Sequence, residues 1–322
     1  MSPVDAQPMA IHASAIEPPP RDVPTARPGR RRTGHLHASQ RRAGIVFALP
    51  VILLELAFLA VPLGSAIYHS LTSWDGLTST WIGIANYQRL FGDPTFWVIV
   101  RNNIYLLLSV PIAILIPLLV AYLLNEHVRG WRFFRSAYFL PTAISWVVIG
   151  MVAIRFFAGE GMLNHLLAGI GLGGLHLNLL GGETSAMVAV IITFIWSVFG
   201  TNTIIFLTGM ATLDRNIYEA ARVDGAGSFT LFWRITIPML MRFIQFAFIL
   251  TLITAFTALF SLIFVMTGGG PGYGTTTLEF YVYQQGFTVG VFGYAAAIGI
   301  FLFAVVFAIS IAQLRIFKSR LD

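Results

Sequence analysis

Apolar residues run continuously in six stretches of this chain, at about Ile45–Ile67, Ile104–Leu124, Ser136–Phe157, Ala186–Met210, Phe243–Thr267 and Tyr294–Leu314. Each is close to the ~20 residues a helix needs to cross a bilayer. None shows the two-residue alternation in ~10-residue segments that marks a barrel strand. A helix closes its own backbone hydrogen bonds, which a chain surrounded by hydrocarbon must do. The pattern therefore predicts an all-α membrane protein with six transmembrane helices. Pro62 in the first run, and Pro111 and Pro117 in the second, predict kinks, because proline removes a backbone donor.

Residues 1–42 are a different material. Seven of the 15 prolines fall between Pro3 and Pro28, and Arg21, Arg27, Arg30, Arg31, Arg32, Arg41 and Arg42 interleave with or follow them. Such a segment buries too little apolar surface to offset chain entropy and reads as a disordered basic tail. Its apolar run starts too late for a cleaved signal peptide, so the first run is expected to stay as an anchor.

Composition agrees with the pattern. Hydrophobic residues make up 57% of the 322 and charged residues 11%, with a mean hydropathy of +0.78. Soluble domains carry ~25% charged residues, so a soluble enzyme is excluded. The absence of cysteine excludes disulfides and thiolate chemistry. The net charge of +6 is a topology signal rather than a nucleic-acid footprint. Of the 20 Lys and Arg, 17 lie in the tail, the second connection (Arg129, Arg132, Arg135), the fourth connection (Arg215, Arg222, Arg234, Arg242) and the C-terminal end (Arg315, Lys318, Arg320). The positive-inside rule then places both termini in the cytoplasm. Domain boundaries follow: the tail at 1–42, the first span and its external loop at 43–97, and a core at 98–322 with a cytoplasmic loop at 211–241.

That loop is the most informative segment. Asp214 suits a helix N-cap and Gly225 a helix stop, with the small pair Ala220 and Ala221 between them. Ser228 is placed to cap a second short helix carrying Phe229, Phe232 and Trp233. A surface helix–turn–helix whose small residues admit another backbone suits a docking element. Glu219-Ala220-Ala221, then Asp224-Gly225-Ala226, then Ile235 and Pro238, resemble the "EAA" loop of binding-protein-dependent ABC importer permeases. Asn125-Glu126 … Gly130 … Phe133-Phe134-Arg135 … Phe139-Leu140-Pro141 resembles their second connection. Thr267-Gly268-Gly269-Gly270-Pro271 … Thr277-Leu278 … Tyr281 … Tyr283 … Phe287 resembles the last external loop of the maltose and glycerol-3-phosphate type. The resemblance runs from about residue 43 to the end. One departure is Arg242, where many relatives carry a second proline.

The resemblance implies a non-catalytic permease subunit in the bacterial inner membrane, importing a sugar or related polyol. Glycerol-3-phosphate is the alternative solute. It implies a second homologous permease, two ATPase subunits and an external solute-binding protein as partners. It places Glu219, Ala220, Ala221, Asp224 and Gly225 in the ATPase groove. No cofactor is expected on this chain, and ATP with Mg would be used by the ATPases. The chain's own glycine-rich run, Gly268–Gly274, lacks the lysine of a phosphate loop and reads as a flexible external loop.

For the solute path, Trp196, Thr201, Asn202 and Thr203 of the fourth run combine hydrogen-bonding groups with an aromatic face. The competing reading is that small and polar residues there are glue between helices. Glu55 in the first run reads as a structural carboxyl, Arg155 as a snorkelling cation, and Asn102 and Asn103 as interface markers. His165 and His176 show no ligand spacing, so no metal site is expected. A secondary transporter would show paired intramembrane charges and inverted repeats, and a membrane enzyme a dyad within the spans. Neither pattern is present in the sequence.

Overall fold

The computed structural model describes residues 33–125 and 140–318. The Glu126 to Phe139 part of the second connection, with Arg129, Arg132 and Arg135, lies outside the described residues, as do residues 1–32 of the tail and Arg320. The chain divides into two compact units, residues 1–59 and 60–322.

The first unit carries α1 (Thr33–Glu55). The segment read as a tail through residue 42 is thus helical from Thr33. No proline lies between Pro28 and Pro50, and Ala38, Gln40, Arg41 and Arg42 are good helix formers, so α1, which accommodates Pro50, extends outward from the apolar run. Glu55 is its last residue, where the helix widens into a π turn at Leu56–Ala60.

The second unit begins with α2 (Val61–Ser70) and a two-stranded antiparallel hairpin, β1 (Thr72–Trp74) with β2 (Ser79–Trp81), in which Ser73 faces Thr80. Asp75 closes the turn by accepting from the Thr78 and Leu77 amides and the Thr78 hydroxyl. These hydrogen bonds, first the Thr78 amide, hold its carboxyl below the usual value. A short α3 (Ala85–Gly92) leads to α4 (Pro94–Asn125). The helix α4 starts ten residues before the apolar run, because Pro94 suits a first helical position and Asp93 accepts from Thr95 N at 2.8 Å.

Next come α5 (Trp146–Phe157), α6 (Met162–Gly169), α7 (Glu183–Met210), α8 (Arg215–Val223) and α9 (Ser228–Met239, widened at Leu231–Thr236). The chain ends with α10 (Met241–Thr257), α11 (Phe260–Met266), α12 (Leu278–Tyr283) and α13 (Phe292–Lys318).

Among the described residues, four helices are long and apolar enough to cross a membrane: Gly44–Ser70, α4, α7 and Phe292–Arg315 of α13. Two further candidates are bent pairs, α5 with α6 at 42° and α9 with α10 at 73°. The third and fifth runs therefore depart from single straight helices. In the third, Leu140–Ala143 forms a 3-10 turn, and Ser145 Oγ caps α5 by accepting from Val148 N. In the fifth, the helix stops at Thr257 and restarts at Phe260.

The central helix is α7, which packs along α4 and against α5 and α10. Phe194 and Phe206 of α7 are fully buried, with Leu118 of α4 and Leu252 of α10 in the same cluster. Gly209 makes the α7–α10 approach possible, since a Cβ there would meet the Phe243 ring at 2.7 Å. A second cluster, Leu90, Phe96, Ile99, Leu278, Tyr281, Tyr294 and Ile298, joins α3, α4, α12 and α13.

Candidate functional site

The fourth run supplies polar side chains to the middle of the bundle, and their partners decide what each does. Asn202 is 1% exposed. Its Nδ2 donates to Ala113 O at 2.9 Å and to Thr251 Oγ1 at 3.0 Å. The first acceptor has a specific origin. Ala113 C=O would ordinarily bond the amide four residues on, and that residue is Pro117, which has no N–H. Asn202 supplies the donor missing at Pro117, and α4 runs through both Pro111 and Pro117 as one helix. Thr203 is buried and donates back to Phe199 O at 2.8 Å.

Beside Asn202 lies a cavity of about 320 Å³. Its polar lining is Thr142, Ser197, Thr201, Asn202, Thr251 and Thr254, with Trp146 as its aromatic wall and Ala258 at one edge. Several of these hydroxyls have spent their proton within a helix: Ser197 on Thr193 O at 2.6 Å and Thr254 on Leu250 O at 2.8 Å. They offer only acceptor lone pairs. Thr142 Oγ1 is buried without a hydrogen-bond partner among the described residues. Among the described residues, those that line it carry no formal charge. The volume lies at the lower end of the ~300–1,000 Å³ of small-molecule pockets. An uncharged chamber with hydroxyls, an amide and one indole is suited to a neutral hydroxylated solute.

The four residues singled out in the fourth run thus separate. Thr201 and Asn202 line this cavity. Trp196 lines a different, apolar crevice of about 340 Å³ with Val152, Phe156 and Ile192, and Thr203 turns onto its own helix. The aromatic wall is Trp146, which sequence reasoning passed over, as it did Thr142, Thr251 and Thr254. The Thr251-Leu-Ile-Thr254 spacing, one helical turn in an otherwise apolar run, was the available signal.

The loop read as a docking element is built as follows. Asp214 accepts from Asn216 N at 2.9 Å and starts α8. At the other end Gly225 has φ +83°. Ala226 N donates to Ala221 O at 2.9 Å and Gly225 N to Arg222 O at 3.0 Å, the paired bonds of a Schellman stop. Glu219 is paired loosely with Arg215 one turn away, at 3.9 Å, and both are largely exposed. Tyr218 OH meets Thr236 Oγ1 at 3.0 Å and pins α8 to α9. Ser228 is the first residue of α9 and caps nothing, the preceding Gly227 holding the N-cap place. The bend after α9 forms at Leu240 without a second proline.

The glycine-rich run is not free. Thr275 and Thr276 are fully buried, and Thr276 Oγ1 donates to Gly269 O at 2.9 Å. Asn102, buried inside α4, donates to Tyr273 O at 2.7 Å and Thr276 O at 2.9 Å. Asn103 Oδ1 accepts from Leu278 N at 2.9 Å. The two asparagines read as interface markers are the anchors of this loop.

Residues 95–322 match the family described as "Binding-protein-dependent transport system inner membrane component". The chain is 34% identical to the probable ABC transporter permease protein YurN of Bacillus subtilis, over 85% of this chain and 95% of that protein. It is 31% identical to the multiple sugar-binding transport system permease protein MsmF of Streptococcus mutans, over 85% and 95%. It is 30% identical to the sn-glycerol-3-phosphate transport system permease protein UgpA of Escherichia coli, over 84% and 92%. The fold is that of a bacterial ABC transporter involved in alginate import, at TM-score 0.75 and 24% identity, covering 88% of this chain and 99% of that one. On the family match and these identities, the chain belongs to the inner-membrane permease components of binding-protein-dependent ABC transport systems.

Proposed function

We propose that this permease imports a neutral sugar or polyol through the Thr142–Thr201–Thr254 cavity, driven by ATPase subunits that grip α8. The observation that carries the solute class is the uncharged, hydroxyl-rich lining with Trp146 as its one aromatic wall. A phosphorylated solute such as glycerol-3-phosphate would call for a cation there. The sugar-related names of relatives such as MsmF support the same class.

In this reading the chain crosses the inner membrane six times, each bent pair counting as one span, with both termini in the cytoplasm. A second homologous permease completes the pore, two ATPase subunits bind ATP and Mg, and an external binding protein delivers the solute. Support for that last partner comes from a similar chain solved with an alginate-bound periplasmic protein, at 25% identity and TM-score 0.72. Glu219, Ala220, Ala221, Asp224 and Gly225 form the surface the ATPase holds.

The test is uptake by the complete transporter in vesicles, with its binding protein and a panel of sugars, polyols and sugar phosphates. Thr201→Leu fills the cavity and removes a hydroxyl. It is expected to cut uptake of the preferred neutral solute ~10-fold or more, the scale of one unmet buried hydrogen bond, with ATPase copurification unchanged. Equal uptake of neutral and phosphorylated solutes, or indifference to Thr201→Leu, sinks the assignment. Deleting residues 2–32, which precede the helical segment, is expected to leave uptake by the assembled transporter intact.

A further inference from the structure

The fifth run is interrupted beside the cavity. Thr254 and Ala258 belong to its lining, and the next residue, Leu259, is fully buried. The helix α11 that restarts at Phe260 has first-turn amides with no carbonyl behind them. Its N-cap residue is Leu259, which has no side-chain acceptor to offer. Ordinarily a Ser, Thr, Asp or Asn stands there.

The acceptor comes instead from 19 residues further on. Glu279 Oε2 takes the Phe260 amide at 3.1 Å. Glu279 stands in the first turn of α12 and is half-buried. The start of α12 is itself fixed, by Asn103 on Leu278 N and by the Thr277 cap on Phe280 N. The Phe260 ring packs against Phe280 at 5.7 Å and Tyr283 at 5.0 Å, both from α12. One connected brace therefore runs from the glycine-rich loop, through α12, to the break in the cavity wall.

We propose that Glu279 is a positioning residue for translocation: it supplies in trans the cap that the break lacks, and so fixes the Thr254–Ala258 wall to the Gly268–Thr277 loop. This rests on the cavity being the solute path. A carboxylate that only stabilised the bundle would lower the amount of assembled transporter and leave each assembled copy at full rate. A positioning group alters the rate per assembled copy.

The experiment uses the complete transporter in vesicles with its binding protein and a transported sugar. Four variants are compared at equal assembled amounts: Glu279→Gln, Glu279→Asp, Glu279→Leu and the cavity variant Thr201→Leu. Glutamine keeps an acceptor oxygen at the same reach and is expected to stay within ~2-fold of the parent, since the Phe260 amide keeps its partner. Aspartate keeps the carboxyl but falls one methylene short. It is expected, with leucine, to lose maximal uptake ~10-fold or more, while half-saturation by the loaded binding protein and basal ATP hydrolysis stay in place. If Glu279→Leu does not assemble, the aspartate and glutamine pair carries the comparison. Full uptake per assembled copy by Glu279→Asp, or equal loss in Glu279→Gln, overturns the proposal. If Thr201→Leu loses uptake while Glu279→Asp does not, the positioning role fails and the solute path stands. If Thr201→Leu is also indifferent, the solute path itself is wrong.

Discussion

Gly225→Val is expected to abolish uptake without preventing insertion of the chain. The residue sits at φ +83° with open space where a Cβ would go, so the penalty is conformational rather than steric contact. A residue with a Cβ pays ~1–2 kcal/mol in the left-handed region, and a β-branched one more. The chain escapes by leaving that region, which breaks the Ala226–Ala221 and Gly225–Arg222 bonds that end α8. The helix then frays or lengthens, and the Glu219–Ala221 face proposed above as the ATPase contact changes its orientation. Ala221→Trp tests the same surface by a different route, adding bulk and leaving the backbone alone. In both variants, copurification of the ATPase and solute-stimulated hydrolysis should fall together with uptake. Normal ATPase binding and normal uptake in both would show that α8 is not the coupling element.

Asn202→Leu should destabilise the bundle interior, and the cost should depend on residue 117. Leucine leaves Ala113 C=O without the donor that Pro117 cannot provide, and Thr251 without its partner. A buried polar group stripped of its hydrogen bond costs ~1–3 kcal/mol, and Ala113 is fully buried. In a Pro117→Ala background the helix regains its own amide, and Ala113 O is satisfied again. Asn202→Leu should then lose stability less steeply than it does with Pro117 in place. The measurement is thermal melting of the detergent-solubilised transporter for the two single variants and the double variant. Additive shifts would show that the asparagine does not serve the proline's carbonyl.

The parts of this fold that were legible in the sequence are those written locally. The helix α8 is one: Asp214 caps it and Gly225 stops it, each acting within a few residues. The long apolar helices are another, because span length is a one-dimensional property. What escaped depends on partners far along the chain. Nothing near residue 260 shows that the cap of α11 comes from Glu279. Nothing near Asn202 points to Pro117, since their link passes through a backbone carbonyl 89 residues away. Trp196 and Trp146 are both tryptophans in apolar runs, and only the packing of α5 on α7 turns the second toward the polar cavity. The third run looked unbroken because Pro141 and Ser145 are few among many apolar neighbours, yet Leu140–Ala143 forms a 3-10 turn and Ser145 caps the helix that follows.

The hydrogen-bonded state of the glycine-rich run bears on how motion in this protein is to be recorded. Tyr273 is 43% exposed, within reach of a chemical probe, while its carbonyl is held by Asn102 at 2.7 Å. A spin label or fluorophore at that position rides on the long helix α4 instead of on a slack tether. Its orientational order should be high, and a change in its angle during turnover would report rotation of the helical body. A probe at Leu172, whose amide is held by Leu167 O of α6 rather than by α4, provides the comparison.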